Sequence, residues 1–178
     1  MKSTVAFLKK ILLVIELFFA IVIINWEKSL FIGIIALDQF LKMKVTNSML
    51  VGESIPVAEN FLHFTYVLNP GAAFGILPNQ RVFFLFTGAA LLLATAYFYP
   101  RLKKCSKVLK FGVLSLVSGS ASNLIDRFQT GYVVDFIDFR FWPIFNVADI
   151  AIVLGMFIVI YFVVFKMDNE GNLKGARR

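Results

Sequence analysis

The 178-residue sequence has few of the residues that build metal centres and disulfides. A single cysteine excludes a disulfide framework and a cysteine zinc cluster, and a single histidine excludes a multi-histidine metal site. The lone histidine also weakens a serine or cysteine protease interpretation. Charged residues are 16% of the chain, against about 25% in soluble domains. We expect no metal and no cofactor.

Apolar residues are abundant instead, at 59% of the chain with 21 phenylalanines. This composition favours an all-α polytopic membrane protein, because a soluble domain of this length would expose much of that surface. A spanning helix needs about 20 mostly apolar residues. Four segments are predicted to span: Val82–Tyr99, Val108–Ile125, Asn146–Phe165 and the shorter Ser29–Val45, which can begin at Trp26.

The apolar run Ile11–Ile24 is short for a span and contains Glu16. An interfacial or partly embedded extra helix is the preferred interpretation, and a fifth span or a removed leader are the alternatives. We therefore divide the chain into an apolar extension (1–25), a four-span domain (26–166) and a polar cytoplasmic tail (167–178).

Basic residues set the orientation, since cytoplasmic loops of membrane proteins are rich in lysine and arginine. With both ends inside, 13 of the 18 lysines and arginines lie on the cytoplasmic side. The excess of basic residues is then explained by the orientation of the chain in the membrane, and nucleic-acid binding is not expected.

Two outer connections result, Thr46–Gln80 and Arg127–Pro143. In the first, the aromatic and β-branched stretch Phe61–Val67 predicts a strand, and Asn69–Gly71 predicts a turn after it. We expect a small β element on the outer membrane surface. His63 lies in this stretch, where a surface or packing role is expected.

Five aspartates fall at the outer ends of the spans or in the outer connections: Asp38, Asp126, Asp135, Asp138 and Asp149. Ionisable groups at membrane depth need a partner or a role. Asp126 is expected to pair with Arg127, and Asp138 to be a solvated loop charge.

Asp135 at a loop edge and Asp149 at a helix start remain as a candidate carboxylate pair. Two such carboxyls can share a proton and act as general base and acid. A proton relay in a transporter and structural ion pairing are alternatives that the spacing leaves open. Asn146, three residues before Asp149, is either an N-cap or a site residue.

The stretch from Gly112 to Asn123 is rich in small residues. Ser115 and Gly119 are four apart, a spacing that allows close approach of membrane helices. Close packing here would hold Asn123 and Asp126 against a neighbouring helix.

Five ordered motifs, covering about residues 29–166, resemble those of the lipoprotein signal peptidases (signal peptidase II), bacterial intramembrane aspartic proteases. They are Asp38-Gln39-Phe-Leu-Lys42, Asn69-Pro-Gly71-Ala-Ala-Phe-Gly, Ser118-Gly119-Ser-Ala-Ser122-Asn123-Leu-Ile-Asp126-Arg127, Val133-Val-Asp135-Phe and Phe145-Asn146-Val-Ala-Asp149.

The resemblance implies that Asp135 and Asp149 are the catalytic dyad. It implies that four further residues support the dyad or bind substrate: Asn69, Asn123, Arg127 and Asn146. The remaining motif residues are expected to support the structure: Asp38, Lys42, Gly71, Gly119 and Asp126.

The resemblance further implies a diacylglyceryl prolipoprotein substrate, cut just before its lipidated cysteine. We expect a monomer among the lipids of the bacterial cytoplasmic membrane, with both termini cytoplasmic and the active site near the outer face. Ser118 and Ser122 stand where the family usually has glycine, so an inactive paralogue that binds prolipoproteins is a further alternative, beside the proton-coupled transporter.

Overall fold

The computed structural model describes residues 25–71 and 80–166, which form a helical bundle with a small sheet at one end. The helices are α1 (Trp26–Ser48), α2 (Arg81–Leu102), α3 (Lys107–Gln129) and α4 (Val147–Tyr161), which continues as a π-helical turn over Phe162–Lys166. The strands are β1 (Ser54–Ala58), β2 (Leu62–Asn69) and β3 (Val133–Asp138). The predicted apolar extension before residue 25 and the tail after residue 166 lie outside the described residues.

In the part of the chain that the structure describes, three helices are long and apolar enough to cross a membrane: α2, α3, and α4 together with its π-helical turn as far as Phe165. They correspond to three of the predicted spans. α1 has 23 residues, a sufficient length, but it carries five charged residues and buries two of them, Asp38 and Lys42. Mostly helical architecture with a minor β element is thus the fold class.

α3 is the central helix, because it packs against α1, α2 and α4. Its contact with α4 is closest at the glycines. A Cβ atom on Gly119 would lie 2.3 Å from the carbonyl oxygen of Ala148, and one on Gly155 would lie 2.5 Å from the carbonyl oxygen of Gly112. Only a hydrogen atom fits at these positions, so the prediction of close helix packing from small residues is confirmed.

The sheet is antiparallel with the order β1-β2-β3. The predicted strand at Phe61–Val67 is confirmed and extends to Asn69 as β2. Strand β3 was not predicted from the sequence, in which 127–143 was described only as an outer connection with Asp135 at a loop edge. Asp135 lies inside β3, which follows Gly131 at a φ of 88°. β3 also contacts α1 and α3, so the sheet is joined to the helices through this strand.

Asp138, expected to be a solvated loop charge, is buried at the end of β3 with 4% of its surface exposed, so that expectation is wrong. Its carboxylate accepts a hydrogen bond from Thr65 Oγ1 at 2.7 Å, and two more from the backbone and guanidinium of Arg140 at 2.8 and 3.0 Å. Burial acts to raise the pKa of Asp138, but these hydrogen bonds outweigh it and lower the pKa. Asp138 thus fixes the turn after β3.

A polar cluster ties the opposite ends of the helices together. Glu27 on α1 accepts hydrogen bonds from Lys110 on α3 at 2.6 Å and from Tyr99 on α2 at 2.7 Å. The Lys110 ammonium also lies 5.4 Å from the ring centroid of Trp26. Three helices are therefore joined at this end as well as at the sheet end.

Candidate active site

Asn146 fixes the start of α4 and is fully buried. Its side-chain oxygen accepts a hydrogen bond from the backbone N–H of Asp149 at 2.9 Å, and the Asp149 carboxylate accepts one from the backbone N–H of Asn146 at 3.2 Å. This capping box satisfies N–H groups that a helix start leaves free. Asn146 is therefore an N-cap, as one of the two interpretations predicted.

The same Asn146 also reaches the other candidate carboxylate, because its Nδ2 donates to Asp135 Oδ1 at 2.7 Å. A single residue thus contacts Asp135 through its amide and Asp149 through its backbone. The cap and the site contact coexist, so the two interpretations of Asn146 do not exclude each other. The arrangement brings the carboxylate from β3 next to the carboxylate from α4.

The second oxygen of Asp135 is held from β2. Val67 lies opposite Asp135 in the sheet register, and Asn69 lies opposite Val133. Residues two apart share a face of the sheet, so Asn69 and Asp135 are diagonal neighbours. Asn69 Nδ2 donates to Asp135 Oδ2 at 2.8 Å. Asn69 Oδ1 in turn accepts from the backbone N–H of Gly71 at 2.9 Å, which fixes the amide.

Asp135 is 2% exposed, and this environment perturbs its titration. Burial is the main cause that raises the pKa of Asp135 to about 7, and the negative charge of Asp149 adds to it. The hydrogen bonds from Asn69 and Asn146 act in the opposite direction. A carboxyl with this pKa holds or releases a proton near neutral pH.

Asn123 on α3 contacts the Asp149 carboxylate oxygen that is not used in the helix cap. Its Nδ2 donates to Asp149 Oδ1 at 2.8 Å, while its Oδ1 accepts from Lys42 Nζ at 2.8 Å and from Asn146 Nδ2 at 3.2 Å. Asn123 lies one helical turn beyond Gly119, so the close contact of α3 with α4 positions it.

Asp126 does not pair with Arg127, and that prediction is wrong. Asp126 forms an ion pair with Lys42 at 2.7 Å and accepts from the side-chain amide of Gln39 at 2.7 Å. The Arg127 guanidinium donates to the carbonyl of Gly71 at 2.7 Å and lies 4.6 Å from the ring centroid of Phe84. Consecutive helical residues point in different directions, so they rarely contact each other.

Lys42 is the cation of a buried cluster behind the two carboxylates, with 3% of its surface exposed. Asp38 forms its second ion pair, also at 2.7 Å. Asp38 further accepts from Ser122 Oγ at 2.7 Å and from the backbone N–H of Ala148 at 2.9 Å. Because Ser122 satisfies Asp38, the hydroxyl at this position is integrated in the cluster.

A cavity of about 770 Å³ opens in front of the two carboxylates. Its charged and amide lining comes from Asn69, Asn123, Arg127, Asp135 and Asp149, and Gly71, Thr87 and Ser120 also line it. The rest of the wall is largely apolar and is formed by α2, α3, α4, Val133 of β3 and residues 142–145. The cavity thus presents acidic groups, amides and one guanidinium beside a surface suited to a hydrophobic ligand.

The predicted site residues therefore fall into two groups. Most of the polar residues line the cavity, with Asn146 buried behind it; Asp38, Lys42 and Asp126 lie in the buried cluster. Sequence reasoning assigned no role to Gln39 or Phe84. The position of Gln39 next to Asp38, in the motif Asp38-Gln39-Phe-Leu-Lys42, could have indicated a role for it. Nothing in the sequence connects Phe84 with Arg127. His63 is half-buried on β2, bonds Ser54 Oγ at 3.1 Å and does not line the cavity.

Among residues 25–71 and 80–166, no group of three or more His, Cys, Asp or Glu side chains is arranged to hold a metal ion. The chemistry that the described site offers is that of carboxyl groups, amides and a guanidinium.

Comparison with known proteins yields a family model, described as signal peptidase (SPase) II, that matches residues 30–165. The chain is 43% identical over 141 residues to the lipoprotein signal peptidase of Desulforapulum autotrophicum, covering 74% of this chain and 87% of that protein. It is 42% identical over 130 residues to the lipoprotein signal peptidase of Halothermothrix orenii, covering 72% and 88%.

A solved bacterial membrane enzyme, determined by the in meso method at 2.3 Å resolution, superposes with a TM-score of 0.77 at 31% identity. The match covers 82% of this chain and 92% of that enzyme. A second such structure, at 1.9 Å resolution, gives a TM-score of 0.72 at 32% identity and covers 80% and 94%. The family model spans all residues that line the cavity, and together with the sequence relatives and the solved structures it shows that the chain belongs to the signal peptidase II family.

Proposed function

We propose that Asp135 and Asp149 are the catalytic dyad of an aspartic endopeptidase. The family assignment makes the chain a signal peptidase that acts on prolipoproteins. The observation that carries the catalytic type is the position of Asn146, which hydrogen-bonds both carboxylates at the wall of one cavity. Two carboxyls held by a common residue are arranged to share a proton.

The proposed reaction is addition of water to the scissile amide. One carboxylate of the dyad accepts a proton from a water molecule, which attacks the carbonyl carbon. The protonated partner donates to the carbonyl oxygen, and collapse of the tetrahedral intermediate passes a proton to the leaving amine. The pKa of Asp135, raised to about 7, allows the pair to retain one proton near neutral pH. The pair titrates as a unit, so base and acid are not assigned to individual residues.

Four polar residues are proposed to support the dyad or the substrate. Asn69, Asn123 and Asn146 donate hydrogen bonds to carboxylate oxygens and so fix the direction of their lone pairs. Arg127 lines the same cavity, and Phe84 and the Gly71 carbonyl hold its guanidinium. We assign Arg127 to the binding of a substrate carbonyl near the scissile bond.

The substrate is proposed to be a prolipoprotein that carries diacylglycerol on its cysteine, cut before that residue. A signal peptide and two acyl chains are apolar, which matches the apolar wall formed by α2, α3 and α4. Anchoring by lipid also orients the amide before the reaction, an effect that reaches about 7–11 kcal/mol in favourable cases.

We propose that α1 is the first of four spans and that both termini are cytoplasmic. The charges of α1 favour this arrangement, because Asp38 and Lys42 are buried against α3 rather than turned outward. The basic Arg101–Lys110 connection then lies inside, and the sheet and dyad lie near the outer face. Since one chain supplies the described cavity, the enzyme is proposed to act as a monomer in the bacterial cytoplasmic membrane.

The test replaces each carboxylate by an amide of the same shape. Purified Asp135→Asn and Asp149→Asn variants are incubated with a diacylglyceryl prolipoprotein, and the new N-terminus is identified by mass spectrometry. We expect at least a thousandfold loss of kcat in each. Asp138→Asn is the matched control, because it is the same change on the same strand outside the cavity. It weakens the hydrogen bonds at the turn after β3 and should lower the unfolding temperature, while kcat of the folded variant stays within about threefold.

Near-normal cleavage by either variant would remove that residue from the mechanism. Proton flux in vesicles without any cleavage by the parent enzyme would instead favour the proton-coupled transporter.

A further inference from the structure

Lys42 is buried at the meeting point of α1 and α3, and three acceptors saturate its ammonium group. They are Asp38 Oδ2 and Asp126 Oδ2, each at 2.7 Å, and Asn123 Oδ1 at 2.8 Å. An ammonium has three N–H donors, so none is left over. The third acceptor, Asn123, is the residue that contacts Asp149.

The bond from Lys42 determines which way the Asn123 amide faces. In the observed orientation Asn123 Oδ1 accepts from Lys42 and from Asn146, while Nδ2 donates to Asp149. A flipped amide would direct its NH₂ group at two donors and its oxygen at the Asp149 carboxylate. Such a flip would break every hydrogen bond of the side chain in a buried site. Lys42 therefore excludes the flipped orientation.

The two carboxylates that neutralise Lys42 contact the backbone beside each member of the dyad. Asp38 Oδ1 accepts from the N–H of Ala148, the residue before Asp149. Asp126 Oδ2 accepts from the N–H of Val134, the residue before Asp135. The Asp38–Lys42–Asp126 triad thus reaches the start of α4 and the middle of β3.

We propose that the buried Asp38–Lys42–Asp126 triad is a positioning unit that sets the relative placement of the two catalytic carboxylates, with Lys42 acting through Asn123. This inference rests on the proposed function of Asp135 and Asp149. The three residues of the triad are positioning residues, since Lys42 reaches the carboxylate of Asp149 only through the side chain of Asn123.

A charge-balanced double variant separates positioning from simple stability. Lys42→Met with Asp126→Asn removes one cation and one anion together, and Asp38 keeps its donors from Ser122 and Ala148. We expect kcat for a diacylglyceryl prolipoprotein to fall about 100-fold, the order of effect of a 1 Å misplacement, with KM changed less than threefold.

The matched control is Glu27→Gln with Lys110→Met. This pair also joins α1 to α3, at 2.6 Å, but it lies 13 residues from Asn123, or about 20 Å along the helix. We expect it to lower the thermal unfolding temperature while kcat stays within about twofold. A comparable loss of kcat in this control would show a general effect of helix docking and overturn the inference.

If the first double variant does not fold, Asp38→Asn takes its place. Ala148 and Lys42 contact different oxygens of the Asp38 carboxylate. An asparagine replaces one of these oxygens by an NH₂ group, which cannot accept a hydrogen bond, so one donor loses its acceptor and the same loss of kcat is expected. A kcat within threefold of the parent in a folded variant of either kind would overturn the proposal. When that result accompanies an inactive Asp149→Asn variant, only the positioning role fails, whereas an active Asp149→Asn variant refutes the dyad itself.

Discussion

The tightest helix contact in the described bundle predicts that one methyl group at Gly119 slows catalysis. In Gly119→Ala the new Cβ atom would lie 2.3 Å from the Ala148 carbonyl oxygen and 2.9 Å from Ile152 Cγ1. The contact with the oxygen is about 1 Å shorter than a close C···O approach of roughly 3.3 Å. A backbone oxygen cannot rotate away, so α3 and α4 must separate by about that amount.

Separation of these helices acts directly on the dyad. Asn123, one turn from Gly119, donates to Asp149 at 2.8 Å, and a 1 Å shift would break that bond. Overpacking of this kind costs about 1–3 kcal/mol of stability. A misplacement of about 1 Å can reduce kcat by about 100-fold, and KM should change little because the apolar cavity wall remains.

The assay measures kcat and KM for cleavage of a diacylglyceryl prolipoprotein in detergent, together with thermal unfolding. Gly33→Ala is the control, since it is the same substitution in α1 with no atom within 4 Å of the new Cβ. Gly33→Ala should match the parent in both measurements. If folded Gly119→Ala cleaves at more than half the parental rate, the close contact does not position Asn123, and the reasoning fails.

Two further predictions concern the dyad's surroundings. Asn146→Ser keeps a capping acceptor for the Asp149 backbone but loses the amide donor to Asp135, so we expect a large loss of kcat. Asn146→Ala should lose both interactions and lower the unfolding temperature further, and equal unfolding temperatures in the two variants would contradict the capping role. The raised pKa of Asp135 means that the folded state binds its proton more tightly than the unfolded state, whose value is near 3.8, so stability should decline as pH rises from about 4 to about 7. A shift of about 3 units limits this decline to roughly 4 kcal/mol, and thermal unfolding of Asp135→Asn across that range should show a smaller slope than the parent.

Hydrophobic length and small-residue spacing were sufficient to predict most of the helical bundle. Val82–Tyr99 and Val108–Ile125 lie inside α2 and α3. The spacing of small residues predicted close packing of α3 against a neighbouring helix, which the structure identifies as α4. Strand β3 was not predicted, because a strand that is buried on both faces does not alternate between polar and apolar residues. The sequence Val-Val-Asp-Phe-Ile-Asp has no period of two.

The partners of the charged side chains were predicted less well than the positions of the helices. Asp126 was matched to its neighbour in sequence, but its ion pair comes from Lys42 on another helix. Asp138 was predicted to be solvated because it lies in an outer connection of the sequence. In the structure it is buried and accepts a hydrogen bond from Thr65 on β2. Long-range pairing of this kind depends on how the helices and strands dock, and a single sequence does not contain that geometry.

The free edge of the described sheet is strand β1, at the end of the order β1-β2-β3. All five residues of β1 are exposed, and an exposed edge strand is a template for aggregation through backbone pairing. Pro56 offers no N–H to an incoming chain, and an irregularity between Pro56 and Ala58 bends the strand away from a flat geometry. The edge is thereby blunted against self-association, so the sheet can stay small without closing into a barrel.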